Sequence, residues 1–448
     1  MTITPALSSA DRLVDDYRRR HPGSAAWHLR ASEVFAAHGA THFARVRAPF
    51  RPYITHALGS RKWDVDGNEF IDYVMGHGAL LLGHGHPAVV EAVQQQAARG
   101  IHLGDNHALE VEWAERIRSL MPAAERVEFF ACGQEANLMG IRLGRAFTGR
   151  TRVLRFASNY HGWADELTGP GAPGTVADHV RVIPPNDLAL VERHLATNEY
   201  AVLLIEGGGG FLGGRVPMQV EFFQALPALA RRHGTVLLLD EVVTGFREAP
   251  GGWQAVVGIE PDLTAVGKAV SGGMPSGALL GRADIFHGLS PDNPPDRLIV
   301  HGGTWNALPI TCAAGIAACT LYRDGKPQRT ARDMANRLRA LGNQVLRQRG
   351  VSGCLYGRSV VHLYLGPVDG SLEDDTLPAA TDIGGSLTPR AEEAYKRLDL
   401  HLLHRGVSSL TGQAFILSAA HTQADVDQTV SAFDDSIRAM LEEGTLPP

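Results

Sequence analysis

Residues 237–246 read LLLDEVVTGF, an apolar run that drives straight into two acids, Asp240 and Glu241. A run of this kind, with no polar face, is a strand covered on both sides, as the strands of parallel sheets are. Three further stretches have the same character: RVEFFA (126–131), TRVLRFA (151–157) and AVLLIE (201–206), to be set beside TVLLLDEV (235–242). Helical periods lie between them, for example from Val220 to Arg232. The expected class is therefore α/β, a mainly parallel sheet with helices on both faces. In such sheets ligands gather outside the carboxyl ends of the strands, where Asp240 and Glu241 fall.

The flanking segments read differently. A helix is expected over Ser9–Arg20, then an arginine-rich stretch (Arg45, Arg47, Arg51), then a strand pair around KWDVDGNEFIDYV with Asp66-Gly67 as its turn. Beyond about residue 325 come a helix (Arg329–Arg349), the strands SVVHLYLG and AFILSA, and a closing helix from Thr422. Three segments follow: 1–75 and 326–448, contributing to a smaller α+β domain, and 76–325, the large domain. No internal repeat is present.

A chain of 448 residues with net charge −6 lacks the clustered basic face that nucleic acid demands. No apolar run reaches the ~18 residues of a membrane span, and the N-terminus has no apolar signal core, so a cytoplasmic address is expected. Cys132, Cys312, Cys319 and Cys354 have neither zinc-site nor disulfide-framework spacing. Of the 42 basic residues only Lys62, Lys268, Lys326 and Lys396 are lysine. Lys268 alone sits among apolar residues and glycines, in LTAVGKAVSGGMPSG. Desolvation there would free a neutral amine to act as nucleophile or base, although a surface turn would be equally compatible with the pattern.

In EFFACGQEANLMGIRLGRAF a strand ends, Gly133 turns the chain and a helix opens near Gln134, offering N–H groups to an anion. In SNYHGW, Tyr160 follows the next strand, where its ring could lie on a planar ligand. Each feature alone has an ordinary structural explanation: a solvated acid, a simple strand-to-helix connection, a tyrosine in a core loop. Together they are the parts that hold a phosphorylated pyridine aldehyde.

The ordered set ACGQEANLMGIRLGRAFTGR, NYHGW, LLLDEVVTGFR, PDLTAVGKAVSGGMPSGALLGR and GGTWNALPITCAAGIAA resembles the class III aminotransferases of pyridoxal phosphate fold type I. The likeness runs from WDVDGNEFIDYV to the SAAHT near the C-terminus. It is nearest to the branch containing glutamate-1-semialdehyde aminomutase and D-phenylglycine aminotransferase, the second being closer through GHGALLLGHGHP, LEVEWAERI and NYHGWAD. The 28-residue spacing from Asp240 to Lys268 is in keeping with that family.

The resemblance implies a large domain with a mainly parallel seven-stranded sheet and a small α+β domain built from both chain ends. It implies pyridoxal 5'-phosphate as cofactor, Lys268 as the Schiff-base lysine and proton shuttle, and Asp240 as partner of the pyridine nitrogen. Val242 and Tyr160 would flank the ring. Gly133 and Gln134 would hold the phosphate through backbone N–H groups, and Thr304 of GGTWN would reach the neighbouring subunit's site in a homodimer. The implied reaction is amino-group transfer between an amino acid (aromatic, D- or β-type) and a 2-oxo acid by a ping-pong mechanism. A 2,1-aminomutase and a catalytically silent cofactor-binding protein are the alternatives. Small molecules are the expected partners, with no nucleic acid, membrane or metal.

Two departures stand out. Relatives usually carry Ser-Gly-Thr or Ser-Gly-Ser where this chain has Cys132-Gly133-Gln134, and Glu-Pro where it has Glu206-Gly207. The second opens EGGGGFLGG, expected to be a looser loop. Its literal GxGxxG, Gly208–Gly213, lacks the acid ~20 residues on that a dinucleotide ribose wants. His84 and His86 of GHGHP are a poor ligand pair, better suited to a structural role. For a substrate carboxylate a guanidinium fork is the natural partner. By position Arg45 is the candidate and Arg47 the next, either being equally compatible with a surface charge. Arg247 is expected to orient the loop after Asp240. The pocket walls are expected near Trp163, Trp305, Phe211 and the 40–55 segment.

Overall fold

The computed structural model describes residues 12–36, 39–42, 45–368 and 388–446. The chain divides into two compact units, one comprising Met1–Met75, Gly83–Gly85 and Ala331–Pro448, the other Gly76–Leu82 and His86–Thr330.

The larger unit is built on a seven-stranded sheet. In chain order its strands are β1 (Arg126–Phe130), β2 (Arg152–Phe156), β3 (Val180–Ile183), β4 (Tyr200–Glu206), β5 (Val236–Glu241), β6 (Leu263–Gly267) and β7 (Gly277–Gly281). Across the sheet they run β1-β7-β6-β5-β4-β2-β3. Only β7 is antiparallel to its neighbours, while β6, β5, β4, β2 and β3 pair in parallel. The expected mainly parallel α/β sheet is thus present. Four strands were legible as apolar runs; β3, β6 and β7 were not, because VRVI has only four residues and LTAVG and GALLG end in glycines that read as turn.

Strand alternation divides the core. Val236 and Leu238 of β5 lie with Val202 and Leu204 of β4 in one cluster. Leu237 and Leu239 lie with Leu203 and Ile205 in another. The first cluster is covered by helix α1 (Gly133–Thr148), through Ala136, Met139, Ile141 and Leu143, and the second by helix α2 (Val220–Arg232), through Phe222, Phe223 and Leu226. Each fully buried side chain of this size contributes roughly 1.5–3 kcal/mol relative to exposure. Period two then decides the fate of the two acids. Asp240 continues the face of Leu238 toward α1, and Glu241 continues that of Leu239. Glu241 accepts hydrogen bonds from the Gln254 N–H at 3.0 Å and the Thr244 hydroxyl at 2.9 Å, besides one from the Trp253 N–H. It is a structural cap for Gly252–Val257.

The smaller unit has a four-stranded sheet in the order Ile54–Leu58, Arg61–Asp64, Glu69–Asp72, Val407–Ser408, and an antiparallel three-stranded sheet of Gly353–Tyr356, Val360–Leu365 and Ala414–Ile416. The expected strand pair forms, and Asp64 organises its turn by accepting the N–H groups of Asp66 at 3.0 Å and Asn68 at 2.8 Å. The first helix is seen from Arg12 to Arg20, residues 9–11 of the expected span lying outside the described residues. The closing helix is Gln423–Glu443, with Thr422 and Asp425 forming a reciprocal capping box. No helix among the described residues is long and apolar enough to cross a membrane.

Helix α1 lies close on the sheet because Gly144 leaves room: a Cβ there would stand 2.4 Å from Val202 Cγ2. Valine on a strand has little rotamer freedom with which to yield. Gly144→Ala is therefore expected to destabilise the protein by about 1–3 kcal/mol, read from denaturant unfolding. A loss below about 0.5 kcal/mol would show the contact to be soft.

Candidate active site

Parallel alignment brings the carboxyl ends of β1, β2, β4, β5 and β6 to one edge, and the chemistry-bearing residues leave from those ends. After β1 comes Cys132-Gly133; after β2, Asn159, Tyr160 and His161; at the end of β4, Glu206; at the end of β5, Asp240; after β6, Lys268. Asp240 pairs in register with Glu206 on one side and Ala265 on the other. Lys268 lies three residues beyond Ala265, about 10 Å further along the strand direction.

Asp240, 3% exposed, is held by three donors. Oδ2 accepts from His161 Nδ1 at 2.7 Å and from Asn137 Nδ2 at 2.8 Å. Oδ1 accepts the N–H of Val242 at 2.9 Å. Burial lowers the pKa of His161, while the hydrogen bond to and charge of Asp240 oppose that shift. His161 Nε2 and Asn137 Oδ1 are buried with no hydrogen-bond partner among the described residues, two polar atoms whose bonding capacity a ligand could complete.

Lys268 has φ +48°, a left-handed conformation that costs a non-glycine residue about 1–2 kcal/mol and that collects at functional positions. Burial pushes its ammonium below the usual lysine range and the Arg247 guanidinium does the same, while Asp240 and Glu206 oppose them. Arg247 is fully buried and donates through Nη2 to the Gly78 carbonyl at 2.9 Å. It therefore fixes the turn around Gly78, whose position against Lys268 is close enough that a Cβ would meet Lys268 Cδ at 3.7 Å.

The candidate anion cradle is the start of α1. The helix begins at Gly133 itself, and the need for glycine is close approach rather than a turn: a Cβ would come within 2.4 Å of Val242 Cγ2. Cys132 is exposed at the N-cap and makes no side-chain capping bond, so the first-turn N–H groups are presented to a ligand. Gln134 uses its side-chain oxygen elsewhere, accepting the Trp163 N–H at 2.7 Å and so tying the loop after β2 to the helix start. Thr304 is exposed, its carbonyl accepting from His102 Nε2 at 2.8 Å.

Glu206, buried beside Asp240, accepts three backbone N–H groups: Tyr160 at 2.9 Å and Phe211 at 2.8 Å on Oε2, and Gly213 at 3.1 Å on Oε1. The EGGGG run is therefore a clamped loop, correcting the expectation of a loose one. Gly209–Gly210 pairs antiparallel with Val216–Pro217, so the GxGxxG forms a small hairpin instead of opening a helix. Burial and the neighbouring Asp240 raise the Glu206 pKa to about 8 against the opposing N–H groups.

In the smaller unit, Arg47 Nε contacts Asp399 at 3.0 Å, and Arg51 contacts the same carboxylate, whereas Arg45 is exposed. His84 binds Asp72 at 2.8 Å. The sequence reading passed over His161, Asn137 and the clamping role of Glu206. His161 was inside the quoted NYHGW, and Asn137 lies one turn beyond Gly133 on the same helix face, so helical spacing alone could have pointed to it.

A mainly parallel sheet with a buried carboxylate, a desolvated lysine and an open helix start on one edge defines a fold type I pyridoxal phosphate enzyme. The residues fit the cofactor: an amine, an anion fixed by three donors, and a helix start with no side-chain cap. The family description "Aminotransferase class-III" matches residues 43–351. The chain is 34% identical over 410 residues to a glutamate-1-semialdehyde 2,1-aminomutase of Syntrophomonas wolfei, covering 87% of this chain and 91% of that protein. Its structure is similar to an omega-transaminase from Sphaerobacter thermophilus, with TM-score 0.85, 32% identity, and coverage of 94% and 99%. A β-phenylalanine aminotransferase from Variovorax paradoxus gives TM-score 0.85, 30% identity, and coverage of 97% and 98%. The chain belongs to the class III aminotransferases, and it is an enzyme whose cofactor is pyridoxal 5'-phosphate.

The raised pKa of Glu206 has a signed consequence. The folded chain keeps the proton to about pH 8, whereas an unfolded glutamate releases it near 4.5. Its stabilising contribution is complete below the lower value and is lost as pH rises through the higher one. Between about pH 5 and pH 8 the wild type is expected to lose on the order of a few kcal/mol relative to Glu206→Gln. Parallel pH–stability curves for the two proteins would contradict this.

Proposed function

We propose that the enzyme moves an amino group between an amino acid, of aromatic, D- or β-type, and a 2-oxo acid in two half-reactions. The observation that carries this is the electrostatic cluster of Lys268 with Asp240, in which the amine is desolvated and the carboxylate is held by three donors. The bound cofactor supplies an aldehyde and an electron-accepting ring. Lys268 Nζ, as a neutral amine, would hold that aldehyde and, once the substrate amine has displaced it, would carry a proton between the substrate Cα and the former aldehyde carbon. Asp240 would pair with the protonated ring nitrogen, with His161 and Asn137 as positioning residues that prevent it from turning away. Val242 and Tyr160 flank the ring. Gly133 and Gln134 hold the phosphate through main-chain N–H groups, joined by the Thr304 hydroxyl of a second copy, so that the working form is a homodimer.

Arg45 is the group proposed for the substrate carboxylate, Arg47 being engaged through Nε with Asp399. Within the same reading, residues 76–325 are the cofactor-binding domain and 1–75 with 326–448 form the smaller one. A cytoplasmic address belongs to it too, supported by four cysteines that are all unpaired. Support for an aryl-bearing substrate comes from the similarity to the β-phenylalanine aminotransferase. The identity to glutamate-1-semialdehyde aminomutases favours a second reading, intramolecular amino transfer, which uses the same residues.

Purified protein loaded with cofactor is expected to absorb in the visible and to lose that band when a competent amino donor is added. Lys268→Ala is expected to lower turnover by at least a thousandfold, because nucleophile and proton shuttle vanish together. A panel of D-, L- and β-amino acids against pyruvate and 2-oxoglutarate tests the first reading. Isomerisation of a single substrate with no 2-oxo acid present would replace it by the second.

A further inference from the structure

One carboxylate oxygen fixes two aromatic residues. Glu206 Oε2 accepts the main-chain N–H of both Tyr160 and Phe211, so the loop after β2 and the hairpin after β4 are tied at a single atom beside Asp240. The rings these residues carry stand 6.0 Å apart at 69°, edge to face. Both are open to solvent, Tyr160 at 55% and Phe211 at 44%.

Phe211 is held at φ +57° and Leu212 at φ +61°, in a segment whose six glycines could have taken those conformations without strain. A bulky residue in the left-handed region is a costly choice. Core packing does not repay it here, because nearly half of the Phe211 ring is exposed. On the flank, the Arg215 guanidinium lies 5.9 Å from the Phe211 ring centroid, adding positive charge to an otherwise apolar wall. Strain accepted in order to show an aromatic face next to Tyr160, on the rim of the Lys268–Asp240 cluster, is what a wall for an aryl group requires.

We propose that Phe211, clamped by Glu206 against Tyr160, is a specificity-determining residue that favours substrates carrying an aromatic side chain over small aliphatic ones. The inference rests on the aminotransferase reading above and names the substrate class of that same site. Glu206 acts through Phe211 and Tyr160 as a positioning residue.

The test compares cofactor-loaded wild type, Phe211→Ala and Phe211→Tyr, each first checked for the visible absorbance band. Calorimetric titration with 3-phenylpropionate and with propionate gives a ratio of affinities for two unreactive acids that differ only in the ring. Phe211→Ala is expected to lower that ratio about tenfold, the worth of one lost aromatic contact, and Phe211→Tyr to restore it to within about twofold. In turnover the change is expected in KM for aromatic donors, with kcat following weakly. Equal weakening of both acids, or an unaltered ratio with the band intact, would overturn the role of Phe211 and leave the aminotransferase reading standing. A wild type that shows no band, or exchanges no amino group with any donor, would overturn that reading and this one with it.

Discussion

A carboxylate at the end of a strand buried on both faces is tolerated only where donors meet it, since an unpartnered buried charge costs several kcal/mol. Asp240 meets three, and they come from three separate pieces of chain: Asn137 from α1, His161 from the loop after β2, and the Val242 N–H from β5's own continuation. Those bonds set where α1 begins relative to the sheet and how the loop after β2 folds over the edge. The anion cradle at Gly133 and the ring of Tyr160 inherit their positions from them. Asp240 is thus a structural fastener, and in the function proposed above it is also the group with which a pyridinium would pair.

The charges around it divide by type. Arg155 and Arg247 are buried cations. Although burial brings Arg155 down to about 10, a guanidinium at that value stays charged near neutrality. Arg155 spends its charge on the carbonyls of Asn159 and Leu167, and Arg247 on that of Gly78. Lys268 is the cation in this cluster whose proton can be given up. In a sequence with 38 arginines and four lysines, using arginine wherever charge must persist leaves lysine for the place where it must come and go.

Much of this was visible before any coordinates. Asp240 and Lys268 stood out because an acid ends an apolar strand and a lysine sits among glycines, local contrasts that a linear reading can detect. The start of α1 followed from strand, glycine and helix in succession. What escaped was whatever depends on pairing across the sheet. Leu263–Gly267 and Gly277–Gly281 end in glycines, which read as turns and hide the strands. Glu206 gives no local sign that its oxygens will gather amides from residues 160, 211 and 213. Nor does the sequence of EGGGGFLGG betray order, since glycine reads as freedom until its hydrogen-bond partners are known. His161 was readable as part of a motif but not as a partner of Asp240, because 79 residues separate them.

The adjacency of Asp240 and Glu241 ties heredity to architecture. Alternating faces send one to the ligand edge and the other to cap Gly252–Val257, so the two duties are separated by a single peptide bond. Deleting or inserting one residue anywhere in β5 would exchange them, turning the capping acid toward α1 and stranding the other among Trp253 and its neighbours. Descent can rewrite the loops around this edge one residue at a time. Along the strand itself, length is inherited whole.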